Sequence, residues 1–289
     1  PPRNDGRLSR SLLASLLLIL PLLLTACVTG ADMRQDRQQL ANSIAAKADM
    51  GPFRLDAGRF TLQVYARINA PDSGDAVLYI EGDGQAWRTY SQPSINPTPT
   101  DPVGLRLAAK DISAANVIYL ARPCQYTLQW NQPGCPTRFW TSHRFAPVVI
   151  KSYMAALDRL KTRYAIDSFH LAGYSGGGGV AALLAARRDD VATLRTIAGN
   201  LDHARLNAYH DVTQMPDSLN PADKAGRLGD VPQIHYSGAA DELVPPMIAK
   251  GFIEKVPHTA CVRHRVIEGA THHNWAQLWS ALATDRPSC

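Results

Sequence analysis

Residues 168–184 read Ser-Phe-His-Leu-Ala-Gly-Tyr-Ser-Gly-Gly-Gly-Gly-Val-Ala-Ala-Leu-Leu, with Ser175 at the centre of Gly173-Tyr174-Ser175-Gly176-Gly177. An apolar run of strand length precedes the glycines, and a small-residue helix former follows them. A serine on such a turn sits on strained backbone that lifts its hydroxyl above a sheet. Side chains at the flanking positions would collide with strand and helix, and glycines relieve that crowding. Gly-x-Ser-x-Gly between a strand and a helix is the order that presents a nucleophilic serine. The pentapeptide alone does not separate that use from a plain Gly-rich loop or a phosphate cradle. The rest of the chain has to supply a base, an acid and an oxyanion site.

Working outward, residues 60–68 alternate apolar and polar, the mark of a half-buried strand, and 76–80 form a continuous apolar run. Further strands are predicted at 116–121, 191–198, 232–236 and 262–267, with helices over 145–164 and 274–283. A polar helix over 33–50 is stopped by Gly51-Pro52. Residues 200–229, with Pro216, Pro221 and Gly226, suit an excursion over the rim that carries the serine. Alternating strands and helices predict an α/β fold, a mostly parallel central sheet with helices on both faces. The predicted organisation is a leader over 1–26, a tether and helix over 27–58, and one domain over 59–289.

A serine hydroxyl needs a histidine to take its proton and a carboxylate to orient that histidine. Downstream of the strand at 232–236 stands Ser237-Gly-Ala-Ala-Asp241-Glu-Leu-Val-Pro245, and downstream of the strand at 262–267 comes Glu268-Gly-Ala-Thr-His272-His273. Both follow strand ends on the rim where open α/β sheets bind ligands. The chain therefore resembles the α/β-hydrolase superfamily over residues 60–283, in the motifs around Ser175, Asp241 and His272 and in their order. The resemblance implies Ser175 as nucleophile, Asp241 as acid and His272 as base. His273 remains an alternative base, Glu242 an alternative acid beside Asp241, and Asp202 another, since some members carry the acid one strand earlier. The Gly176 N–H is one expected oxyanion donor; the other is expected from Gly82-Asp83-Gly84-Gln85, at Gly84 or Gln85. Tyr126, Trp130 and Trp140 either line a substrate pocket or pack on the sheet.

The chain has 289 residues, 45% of them hydrophobic and 19% charged, so a sizeable core is available and global disorder is excluded. The formal charge of +5, without Lys/Arg clusters among aromatics, is no nucleic-acid footprint. Arg3, Arg7 and Arg10 precede an apolar run over 12–24 that is short for a membrane span and fits a secretory signal. Leu24-Thr25-Ala26-Cys27 resembles the lipobox of bacterial lipoproteins, which implies cleavage before Cys27 and lipid attachment to it. Val28 after that cysteine implies, by the same likeness, the periplasmic face of the outer membrane. In an exported chain, Cys124, Cys135, Cys261 and Cys289 allow three disulfide connectivities, and the sequence-local one, Cys124 with Cys135 and Cys261 with Cys289, is expected. No histidine spacing suggests a metal site, and no organic cofactor is expected.

These readings converge on an envelope-anchored serine hydrolase acting on a small-molecule acyl substrate, an ester or related acyl bond. A peptidase or amidase of the same fold is one alternative, because the triad does not select the leaving group. A non-catalytic envelope lipoprotein that binds a ligand is the other.

Overall fold

A computed structural model describes residues 36–126, 134–257 and 259–289. The leader, Cys27 and Trp130 lie outside the described residues. The chain divides into a unit over Pro1–Leu40 and a unit over Ala41–Cys289. In the first, residues 36–40 are helical; the same helix (α1, residues 36–46) runs into the second, where Ala41 and Ala45 are buried. No helix among the described residues is long and apolar enough to cross a membrane.

The second unit is built on an eight-stranded sheet of order β1-β2-β4-β3-β5-β6-β7-β8. The strands are β1 (Gly51–Ala57), β2 (Phe60–Ile68), β3 (Asp75–Ile80), β4 (Asn116–Leu120), β5 (Ser168–Tyr174), β6 (Val191–Ile197), β7 (Gln233–Gly238) and β8 (Val262–Ile267). β1 and β2 form an antiparallel hairpin, β2 joins β4 antiparallel, and every other pairing is parallel. This is the α/β-hydrolase fold.

Alternation along the strands fills two cores. Leu78, Ile80, Ile118 and Leu171 face one side, where α3 (Pro147–Tyr164) contributes Val149, Tyr153 and Leu160 and α4 (Gly176–Ala185) contributes Val180 and Leu184. Val77, Tyr79, Val117 and Ala172 face the other, against α2 (Val103–Lys110) and α7 (Trp275–Leu282) with Leu105, Trp275 and Trp279. Every residue of α4 is buried, as expected of a helix without a polar face.

The stretch expected as tether and helix, 27–58, ends in a strand instead. Residues 51–57 form the edge strand, with Leu55 and Ala57 buried and Pro52, Arg54 and Asp56 exposed. The helix ends before Gly51-Pro52, as expected, and a proline near the start of an edge strand withholds no needed N–H. The excursion at 200–229 contains α5 (His203–Tyr209) and a 3-10 helix, Pro221–Arg227. Its Ala222 and Ala225 belong to the core beside α4, so part of it packs beneath the rim. One further helix, α6 (Pro246–Ile253), follows β7. Both sequence-local disulfides are formed.

One parallel pairing positions the site. β3 lies between β4 and β5, so the chain leaves β3 toward one edge and returns on the other side of it. Loops after β3 and β5 diverge there and open the crevice in which such sheets bind ligands.

Inside the sheet, His235 is fully buried. Gln233 commits its Nε2 to Leu228 O, which leaves its Oε1 to accept from His235 Nε2 at 3.1 Å, while His235 Nδ1 accepts from the Thr196 hydroxyl at 2.8 Å. A second ring proton has no place, and burial pushes the imidazole down from 6.5 to about 3. Between those values the unfolded chain binds a proton that the folded chain refuses, so stability falls as pH drops from about 6.5 toward 3. The His235→Asn variant is expected to lose this component, about 1.4 kcal/mol per pH unit, in urea unfolding followed from pH 7 to pH 4.

Candidate active site

Ser175 stands between β5 and α4 with φ 52° and ψ −120°, a conformation that a residue with a Cβ adopts only when its surroundings impose it. Three backbone hydrogen bonds do so: Ser175 N–H donates to Ile197 O, and its carbonyl accepts from Gly178 and Asn200. The crowding read from the sequence is present. A Cβ on Gly173 would lie 2.3 Å from Gly177 O, and one on Gly177 would lie 2.2 Å from Ile80 O.

The loop after β7 brings Asp241 to the same rim and buries it to 3% exposure. Its Oδ1 accepts from the Leu243 and Val244 N–H groups at 3.0 and 2.8 Å. Its Oδ2 lies 2.9 Å from His272 Nδ1, and His272 Nε2 lies 3.1 Å from Ser175 Oγ. A carboxylate only accepts, so Nδ1 carries the imidazole proton and Nε2 offers its lone pair to the serine hydroxyl. Tyr174, beside the serine, donates its hydroxyl to His272 O at 2.8 Å, and its ring lies 5.4 Å from the imidazole. Burial raises the Tyr174 phenol far above its usual range, so it stays a donor. The arrangement can take a proton from Ser175 and hold the resulting imidazolium.

The three alternatives sit elsewhere, and Glu242, next to the buried Asp241, is exposed. His273 is exposed and meets His272 only edge to face at 5.2 Å. Asp202 caps α5, accepting from Arg205 N–H and from Asn220, with Lys255 at 3.3 Å. Burial opposes its charge, yet these partners hold its carboxyl below the usual carboxylate range.

The loop after β3, expected to supply the second donor at Gly84 or Gln85, commits one of the two. Gln85 N–H is spent on Pro97 O at 3.1 Å, which takes it out of the two expected donors. It is Gly82 and Asp83 that adjoin the serine. A Cβ on Gly82 would lie 3.3 Å from Ser175 Cβ, and one on Gly176 would lie 2.1 Å from Asp83 Oδ1. Among the described residues the Asp83 N–H has no partner, and the Gly176 N–H opens a helix, where no intrahelical acceptor exists. Two backbone N–H groups without an acceptor, those of Asp83 and Gly176, thus belong to residues beside Ser175.

Several supporting residues were absent from the sequence reading. Glu81, fully buried, accepts from Gly82, from the α2 N–H groups of Gly104 and Leu105, and from the Tyr119 hydroxyl. Asp83 pairs with Arg122 at 2.8 Å and Arg144 at 3.0 Å. The only available signal was position, an acid on each side of Gly82 at a strand end. Tyr126 and Trp140 are buried, and Trp140 donates to Ser94 O, so both pack inward. No group of three or more His, Cys, Asp or Glu able to hold a metal occurs among the described residues.

No protein-family profile matches the chain, and no curated protein sequence matches it. Solved structures do. An α/β serine hydrolase homologue from Coxiella burnetii superposes with TM-score 0.55 at 18% identity, over 81% of this chain and 95% of its own. A membrane phospholipase A described as a bacterial virulence factor gives 0.57 at 13%, over 94% and 99%. The esterase Pf2001 of Pyrococcus furiosus gives 0.57 at 14%, over 81% and 90%. At these identities the likeness establishes the fold.

Proposed function

We propose that the chain is a serine hydrolase that cleaves an ester or related acyl bond through an acyl-enzyme. The observation that carries this reading is the unbroken line from Asp241 through His272 to Ser175, beside the two free amides of Gly176 and Asp83. Ser175 attacks the acyl carbonyl as His272 takes its proton, and the carbonyl oxygen becomes an oxyanion between the two amides. His272 returns the proton to the leaving alcohol. Water then repeats the sequence on the acyl-enzyme, and the carboxylic acid leaves. Asp241 keeps the imidazole in its tautomer throughout. An esterase and a phospholipase A among the structures of this fold point the same way. The lipobox-like ending at Cys27 supports placement of the enzyme on an envelope membrane, and loss of lipid labelling in Cys27→Ser tests that part.

The catalytic part is tested by incubating the mature protein with a fluorophosphonate and with p-nitrophenyl esters of increasing chain length. Labelling at Ser175 and release of p-nitrophenol are expected. A protein that does neither, with peptide and amide substrates also inert, is the ligand-binding alternative rather than an enzyme.

A further inference from the structure

An oxyanion donor is useful only if its N–H points at the place where charge develops, and a loop peptide can turn over at little cost unless something holds it. The Asp83 N–H shares its peptide unit with the Gly82 carbonyl. In a trans peptide the two bonds point in opposite directions, and no peptide among the described residues is cis. Whatever fixes the Gly82 carbonyl therefore fixes the Asp83 N–H on the other side.

Gln125 does this. Its side chain is 1% exposed, and both ends are committed. Oε1 accepts from Arg122 N–H at 3.0 Å, which turns Nε2 toward Gly82 O, also at 3.0 Å. The amide cannot be reversed without setting an oxygen against the Gly82 carbonyl and a nitrogen against the Arg122 N–H. Room for it depends on Gly84, at φ +63°, where a Cβ would lie 2.7 Å from Gln125 Nε2. The segment that carries Gln125 is stapled at its neighbour Cys124 to Cys135. A second strap runs from the same segment: Arg122 Nη1 donates to Asp83 Oδ1 and Nη2 to Arg144 O.

We propose that Gln125 is a positioning residue that locks the peptide between Gly82 and Asp83 with its N–H on the oxyanion site. This rests on the hydrolase reading above and adds to it the side chain that sets the second donor. Gln125 touches no substrate and acts through that peptide. Without the bond, the peptide can rotate and present a carbonyl oxygen to the oxyanion, which repels it.

The test uses the full mature protein, a p-nitrophenyl ester and a trifluoromethyl ketone that forms a tetrahedral adduct on the serine. In Gln125→Met, of similar size and without the donor, kcat is expected to fall about 10- to 100-fold, approaching the loss of an oxyanion donor. KM stays within about twofold, and adduct affinity falls by the same factor as kcat. Gln125→Glu gives the second readout. Its ionised carboxylate repels Gly82 O, whereas its protonated form supplies an O–H in place of the amide. The activity of Gln125→Glu relative to wild type is therefore expected to rise as pH is lowered from about 8 to about 5. Wild-type kcat and adduct affinity in Gln125→Met, or a Gln125→Glu ratio that does not change with pH, would overturn the proposal. A wild type that neither labels nor turns over any ester removes the hydrolase reading and this inference with it.

Discussion

Ser175→Ala is expected to lower kcat by roughly 10⁵- to 10⁶-fold, the scale seen when the nucleophile of such a triad is removed, and to abolish fluorophosphonate labelling. The fold should not follow. Alanine has a Cβ like serine, so the backbone at φ 52° gains no new clash. The strained turn at Ser175, the elbow between β5 and α4, is held by main-chain bonds to Ile197, Gly178 and Asn200, none of which uses the hydroxyl. A thermal midpoint within about 3 °C of wild type, alongside lost turnover, would separate chemistry from stability. Labelling that persists in the variant would move the nucleophile elsewhere and sink the assignment.

The second large effect is expected at Asp241→Asn. Asp241 Oδ1 receives two N–H bonds, from Leu243 and Val244. An asparagine must keep its carbonyl oxygen there, since turning its NH₂ toward two donors would leave all of them unpaired. Its NH₂ then faces His272 Nδ1, which has to accept, and the imidazole proton moves to Nε2. That nitrogen now donates toward Ser175 and can no longer take its proton. The expected loss is about 10⁴-fold in kcat with KM little changed, the penalty of a triad held in the wrong tautomer. His273→Ala is the internal control, expected within about threefold of wild type because His273 is exposed and meets His272 edge to face. A large loss in His273→Ala, or a small one in Asp241→Asn, would refute the assignment of base and acid.

The difference between what the chain announces and what it conceals follows from how local each signal is. The elbow is legible because steric crowding at Gly173 and Gly177 is a property of consecutive residues. Asp241 and His272 are legible because each follows an apolar strand by a few positions, and strand ends share a rim. The second oxyanion donor is not legible in this way. Whether Gln85 is free depends on Pro97, and the orientation proposed for the Asp83 amide depends on Gln125, 43 residues from Gly82. Both are decided by loops that meet only after the sheet is formed. The edge strand at 51–57 was hidden for another reason: Gly51 and Pro52 carry the same composition whether they end a helix or begin a strand at the sheet's border.

The separations within the relay bear on when the chain becomes active. His272 is 97 residues from Ser175 and 31 from Asp241, and each enters on a different parallel strand whose pairing needs a crossover. Such pairings form late, because long loops must close before their contacts are gained. The proposed base, His272, follows β8, the strand at the far border of the sheet, whose residues are all half-exposed or exposed. On the proposed mechanism, turnover is thus a stricter reporter of folding than helix content or core fluorescence. A population with its central strands assembled is still silent until the last border strand has docked.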